Sequence, residues 1–139
     1  MMPDKEAHFE IIDKNYKALM HLSSPDPSEH IEWSVIIIYY MALHYIQAYF
    51  DATCEEHYSN HMSLQNRMRE VPQLRSIYGR YRQLEDDSRK ARYDGETFNI
   101  YTLRNETLKS FQKIQDLVLS WLENTDRNSY NLYKLFPPN

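Results

Sequence analysis

The sequence predicts an all-α fold, an up-and-down bundle of four main helices plus one short helix. Apolar residues recur at alternating spacings of three and four along most of the chain, the period of one helix face. The 139 residues include only two glycines, Gly79 and Gly95, too few for the tight turns of an all-β chain. Hydrophobic residues make up 42% and charged residues 26%, a balance that suits one globular domain over 1–139 and argues against disorder.

The first helix is expected from Lys5 to His21, with Phe9, Ile12, Tyr16 and Leu19 as its stripe and Asp4 as its cap. Two prolines in Ser23–Pro27 end it. The second helix has the clearest start signal: Asp26 caps, Pro27 suits the first helical position, and Glu29 lies three residues after the cap. It runs to Thr53, with Trp33, Ile37, Tyr40, His44 and Gln47 on one face. Ile36, Leu43, Ile46 and Phe50 widen its apolar surface, which places it centrally or at a dimer interface. Residues 55–62 read as a polar connection, followed by a short helix over Ser63–Val71 that Pro72 interrupts. The third main helix, Gln73 to Tyr93, carries Leu74, Ile77, Tyr81, Leu84, Ser88 and Ala91, and Asp94-Gly95 stops it. Gly79 inside it costs about 1 kcal/mol relative to alanine. The fourth, Thr102 to Glu123, carries Thr107, Phe111, Ile114, Val118 and Trp121. Tyr130, Leu132, Tyr133, Leu135 and Phe136 suit a tail that docks on the bundle.

Residues 33–50 contain no Asp, Glu, Lys or Arg, the one stretch that invites a membrane reading. Four tyrosines, Ser34, His44 and Gln47 within it, and no basic anchor beside it, favour a buried helix and no membrane. The N-terminal ten residues lack the basic-then-apolar pattern of a secretion leader. Cys54 is the only cysteine, so no internal disulfide forms and a reducing, cytoplasmic setting is expected. Charge is uneven: residues 1–66 carry a net −7, residues 67–92 a net +4, and residues 93–139 a net −1. The positive charge therefore concentrates on the short helix and the third main helix, within a chain of net charge −4.

Three constellations bear on chemistry. Cys54, His57 and His61 have metal-like spacing but no fixed fourth ligand, so incidental histidines in a polar loop are expected, with no metal and no cofactor. His61 and Arg67 pair a group that titrates near neutrality with a fixed cation that can hold a phosphate, a candidate catalytic pair for phosphodiester chemistry. Arg75, Arg82 and Arg89 recur every seven residues, with Arg80, Lys90 and Arg92 beside them and Tyr78, Tyr81 and Tyr93 interleaved. Guanidinium groups among aromatic rings suit single-stranded RNA. Against that, Glu85 precedes Arg89 by four and Asp86 precedes Lys90 by four, a spacing for intrahelical pairs. Cys54 lacks a fixed base, and there is no phosphate-cradling glycine loop, nucleophile elbow or paired-carboxylate motif.

Three segments in order resemble the HEPN superfamily of small helical domains. They are Trp33 to Tyr49 around Tyr39-Tyr40-x-Ala42-Leu43-His44, then Ser59-Asn60-His61 leading to Asn66-Arg67, then Tyr81-Arg82-x-Leu84 with Ser88-Arg89-x-Ala91-Arg92-Tyr93. The resemblance covers about residues 26–95. It implies a HEPN-like bundle, often a homodimer, of the kind found in prokaryotic toxin–antitoxin and defence systems, with RNA, a nucleotide or a cognate protein as partner. The superfamily's ribonuclease signature, an arginine followed four to six residues later by a histidine, is absent: the last histidine is His61 and the first arginine is Arg67. The expected function is therefore a binding module, with Asn66, Arg82, Ser88, Arg89, Arg92 and Tyr93 as binding residues. The alternatives are a divergent metal-independent ribonuclease using His61 and nearby arginines, and a purely structural dimerisation component.

Overall fold

The computed structural model of the chain describes residues 5–53, 58, 60–94, 98–122 and 128–138. Its regular structure is helical, and among the described residues there is no strand. α1 spans Lys5–Leu22, α2 spans Ile31–Thr53, α3 spans His61–Glu70 and α4 spans Pro72–Arg89, continued by a π-helical turn over Lys90–Asp94. α5 opens with one turn at Ile100–Thr102, passes through a second π-helical turn at Leu103–Thr107, and continues as regular helix over Leu108–Trp121. A 3-10 turn, Leu132–Leu135, comes after it. No helix among the described residues is long and apolar enough to cross a membrane.

The apolar stripes pack as their spacing requires. Phe9, Ile12 and Leu19 of α1 are buried, as are Leu74, Ile77, Tyr81, Leu84 and Ser88 of α4 and Thr107, Phe111, Ile114 and Val118 of α5. α2 has the widest apolar surface and sits against α1, α4 and α5, while α3 packs on α4. One core results, with Tyr39, Tyr45, Phe50, Ile38, Met41 and Ile46 of α2 fully enclosed. The least covered stripe of α2 holds Trp33, 61% exposed, and the half-buried Ile37, Tyr40 and His44.

Helix boundaries differ in several places from those the sequence predicts, the last helix running Ile100–Trp121 in place of Thr102–Glu123. Asp26 does not start α2. Its Oδ1 accepts from the Ser28 amide at 3.0 Å and the Ser28 hydroxyl at 2.7 Å, and the carboxylate closes a local turn instead. The helix begins at Ile31. α3 begins two residues early because Asn60 caps it: its side-chain oxygen accepts from the Ser63 amide at 2.8 Å. The third main helix keeps its length but ends in a π-turn. The expected cap Asp4 and the stop at Gly95 lie outside the described residues.

The tail docks through polar ties that hydrophobic patterning does not show. Leu132 and Phe136 are buried. Gln115 accepts from the Tyr130 amide at 2.8 Å and donates to the Tyr130 carbonyl at 3.1 Å, and the Tyr130 hydroxyl donates to Asp13 at 2.9 Å. Arg104, presented by the second π-turn, donates to the carbonyls of Tyr133 and Phe136.

Gly79 lies on the exposed side of α4, and a Cβ built there meets nothing within 4 Å. Gly79→Ala removes backbone freedom from the unfolded chain at no steric cost, so stability rises by about 0.5–1 kcal/mol. An increased urea midpoint with unchanged m-value is the expected result; an unchanged or lower midpoint contradicts it.

Candidate functional site

The site is built on Tyr39 and Tyr40, neighbours on α2 whose ring centroids lie 5.1 Å apart. The Asn60 cap puts His61 at the first position of α3, at the surface. Its Nδ1 lies 3.1 Å from the Tyr39 hydroxyl, which in turn lies 3.2 Å from the Tyr81 hydroxyl. An exposed imidazole is thus tied to two fully buried phenols. Burial pushes the Tyr39 phenol up to about 12, with Glu85 adding to the shift and the Tyr81 hydrogen bond and Arg92 opposing it. Burial also raises Tyr81.

On the other side stands Arg92, in the π-turn that ends α4. One extra residue in a helical turn rotates the residues after it by about 100°, and the turn packs on α2. Arg92 donates to the Tyr40 hydroxyl at 3.1 Å, and its Nε donates to the Ser88 carbonyl at 3.3 Å. Its guanidinium carbon lies 5.9 Å from the Tyr40 ring and 5.1 Å from the Tyr93 ring, which is itself 74% exposed. These are cation–π distances.

The remaining sequence-predicted residues are engaged elsewhere. Arg67 lies 3.3 Å from Glu70. Asn66 accepts from Arg69. Arg82 donates to the Tyr78 hydroxyl at 3.3 Å and lies 3.8 Å from Asp86. Arg89 is held by Glu85 at 2.6 Å, with Asp86 at 3.8 Å. Glu85, buried beneath it, also accepts from the Gln65 amide. The expected Glu85–Arg89 pair therefore forms, while Asp86 serves Arg82 and Arg89 rather than making an ion pair with Lys90. Ser88 is fully buried, and its hydroxyl has no hydrogen-bond partner among the described residues. No hydrogen bond or ring contact among the described residues joins His61 to Arg67, Arg82, Arg89 or Arg92. Cys54 and His57 lie outside the described residues. Among the described residues no three His, Cys, Asp or Glu side chains are placed to hold a metal ion.

Sequence reasoning missed the pairing of Tyr40 with Arg92, and no signal in the chain marks the π-turn that creates it. It also gave Arg69 no role. Arg69 lies 5.6 Å from the Tyr78 ring, and its carbonyl accepts from Arg75 at 2.8 Å. Among the described residues Arg69, Arg75, Arg80 and Arg92 have no carboxylate at ion-pair distance. Beside His61 the recess lined by Leu43, Gln47, Tyr58, Asn60 and Leu64 measures about 50 Å³, room for a water or two and no more. No protein-family model, curated protein or solved structure matches the chain.

The buried phenols set the alkaline limit of the fold. Tyr39, Tyr45, Tyr81 and Tyr130 are all raised above the usual 10.0, chiefly by burial. An acid whose folded value lies above its unfolded one contributes stability that is complete below pH 10 and is lost as pH rises from 10 through about 12. Followed by tyrosinate absorbance, the exposed members of the 12 tyrosines ionise first. The buried class then ionises in one step that coincides with loss of helical circular dichroism. Smooth ionisation of every tyrosine near pH 10 with helix retained contradicts this.

Proposed function

We propose that the chain is a HEPN-like helical module that holds single-stranded RNA across the end of α4 and the open stripe of α2. The observation that carries the reading is Arg92. It is fixed against Tyr40, flanked by the exposed ring of Tyr93, and no carboxylate neutralises it among the described residues. A guanidinium beside an exposed ring offers a phosphate contact and a stacking surface together. Arg69, Tyr78 and Arg75 repeat the arrangement towards the start of α4, on the segment of net charge +4. The small recess at His61 favours a strand laid on the surface over a mononucleotide enclosed in a pocket. A homodimer belongs to the same proposal, with Trp33 as the apolar side chain it covers.

Binding of a short unstructured oligoribonucleotide tests the reading. Its affinity falls steeply with salt. Arg92→Ala weakens it on the order of tenfold and lowers the log–log salt slope by about 0.7, the value of one phosphate contact on a single strand. Arg89→Ala, which removes an arginine already neutralised by Glu85 and Asp86, changes little. No affinity for RNA at low salt, or an Arg92→Ala slope equal to wild type, sinks the proposal.

A further inference from the structure

A recess of about 350 Å³ opens to solvent between α4 and α5. Gly79, Arg80 and Gln83 line it from α4, and Asn105, Glu106 and Ser110 from α5. Its volume is at the lower end of the range for small-molecule sites, about 300–1,000 Å³. Gly79 brings no side chain to it, and a Cβ built there meets nothing within 4 Å. The second π-turn, Leu103–Thr107, presents Asn105 and Glu106 from the other side. None of these residues takes part in the tyrosine network or in the contacts of Arg92.

The polar atoms of the recess divide by chemistry. Asn105 donates from its side-chain nitrogen to the Tyr101 carbonyl at 2.9 Å. A carbonyl only accepts, so the amide is fixed and its Oδ1 is the atom left over. Gln83 likewise donates to both oxygens of Asp87, at 3.1 and 3.2 Å, which leaves its Oε1. Burial raises the Asp87 carboxyl, and Glu106 adds to that rise, so Glu106 stands near a second acid. Acceptors are thus the Glu106 carboxylate and two amide oxygens. Donors are the Arg80 guanidinium and the Ser110 hydroxyl.

Two further observations point to a ligand. Arg80 and Glu106 line one small recess, yet among the described residues neither has an opposite charge at ion-pair distance. Ser110 is only 4% exposed, and its hydroxyl makes no hydrogen bond among the described residues. Ser76 and Ser120, by contrast, donate to carbonyls three residues back. A hydroxyl so enclosed is costly to leave unpaired.

We propose that this recess binds a free α-amino acid with a small or polar side chain. Its carboxylate accepts from Arg80 and Ser110. Its ammonium carries three N–H donors, and Glu106, Gln83 Oε1 and Asn105 Oδ1 are three acceptors. A simple anion would meet Glu106 as a like charge, and a simple cation would meet Arg80 in the same way. A zwitterion pairs both. No apolar side chain lines the recess, which sets the class of side chain it takes. The site is separate from the proposed RNA-binding face and does not rest on it.

NMR titration of the full chain with glycine, alanine, serine, threonine, asparagine and glutamine, each as the free amino acid, tests this. At least one is expected to give saturable shifts at the amides of Gly79, Asn105 and Ser110, with a Kd of about 1 mM or tighter. Its N-acetyl and carboxamide forms, each lacking one charge, bind at least about tenfold more weakly. Arg80→Gln and Glu106→Gln each weaken binding by a similar factor. Gly79→Leu fills the recess and abolishes binding while helical circular dichroism is kept, because the new side chain enters open space. No saturable shift with any of these amino acids overturns the proposal. So does equal affinity for the N-acetyl and carboxamide forms, or a Gly79→Leu chain that binds like wild type.

Discussion

Burying residues 33–50, which carry no formal charge, dictates where the other helices go. At about 25 cal/mol per Å² of apolar surface, no other segment offers as much to the core. α2 therefore takes the centre, with α1, α4 and α5 around it. The segment is not purely aliphatic, however. Tyr39, Tyr40, Tyr45 and Tyr49 each bring a hydroxyl, and a hydroxyl taken from water costs several times more unpaired than it returns when paired. Tyr39 finds His61 and Tyr81, Tyr45 finds Gln115, and Tyr40 finds Arg92. Gln115 also secures the tail. Much of the polar structure of this bundle is thus an accommodation to tyrosines on one helix.

The same cost of unpaired polar groups separates the arginines. Along α4, ion pairs at spacings of three and four engage Arg82 and Arg89 with Asp86 and Glu85. An arginine already against a carboxylate has less to gain from a phosphate, since binding one means giving up the other. The π-turn removes Arg92 from that series and turns it onto aromatic rings instead. Cation–π contact leaves its full charge available to an anion.

Helix identity and core faces are legible in the sequence because they are local and periodic. The stripes of α1, α4 and α5 can be read from the spacing, and most of their residues are buried as read, with Tyr16, Ala91 and Trp121 only partly so. The start of α2 is misread because Asp26 has two chemically equal choices, a helix cap and a tight turn, and only the chain path beyond it decides between them. The candidate site is less legible. Asn66, Arg67, Arg82 and Arg89 have the right chemistry for phosphate, but their partners lie three or four residues away and engage them. Arg92 and Tyr93 belong to the same motif, yet what distinguishes Arg92 is contact with a residue 52 positions earlier. His8 lies 2.7 Å from Asp51 and 2.9 Å from His44, contacts between positions 43 and 36 apart that no spacing rule announces.

The central claim is that the open α2 stripe and the end of α4 form one RNA-binding face. Mapping amide and side-chain NMR shifts while a short oligoribonucleotide is titrated into the chain tests it most directly. Shifts are expected to concentrate at Tyr40, His44, Arg92 and Tyr93 and to extend along Arg69 and Tyr78, with Arg82 and Arg89 little changed. Shifts centred on α1, or none at any of these positions, would contradict it.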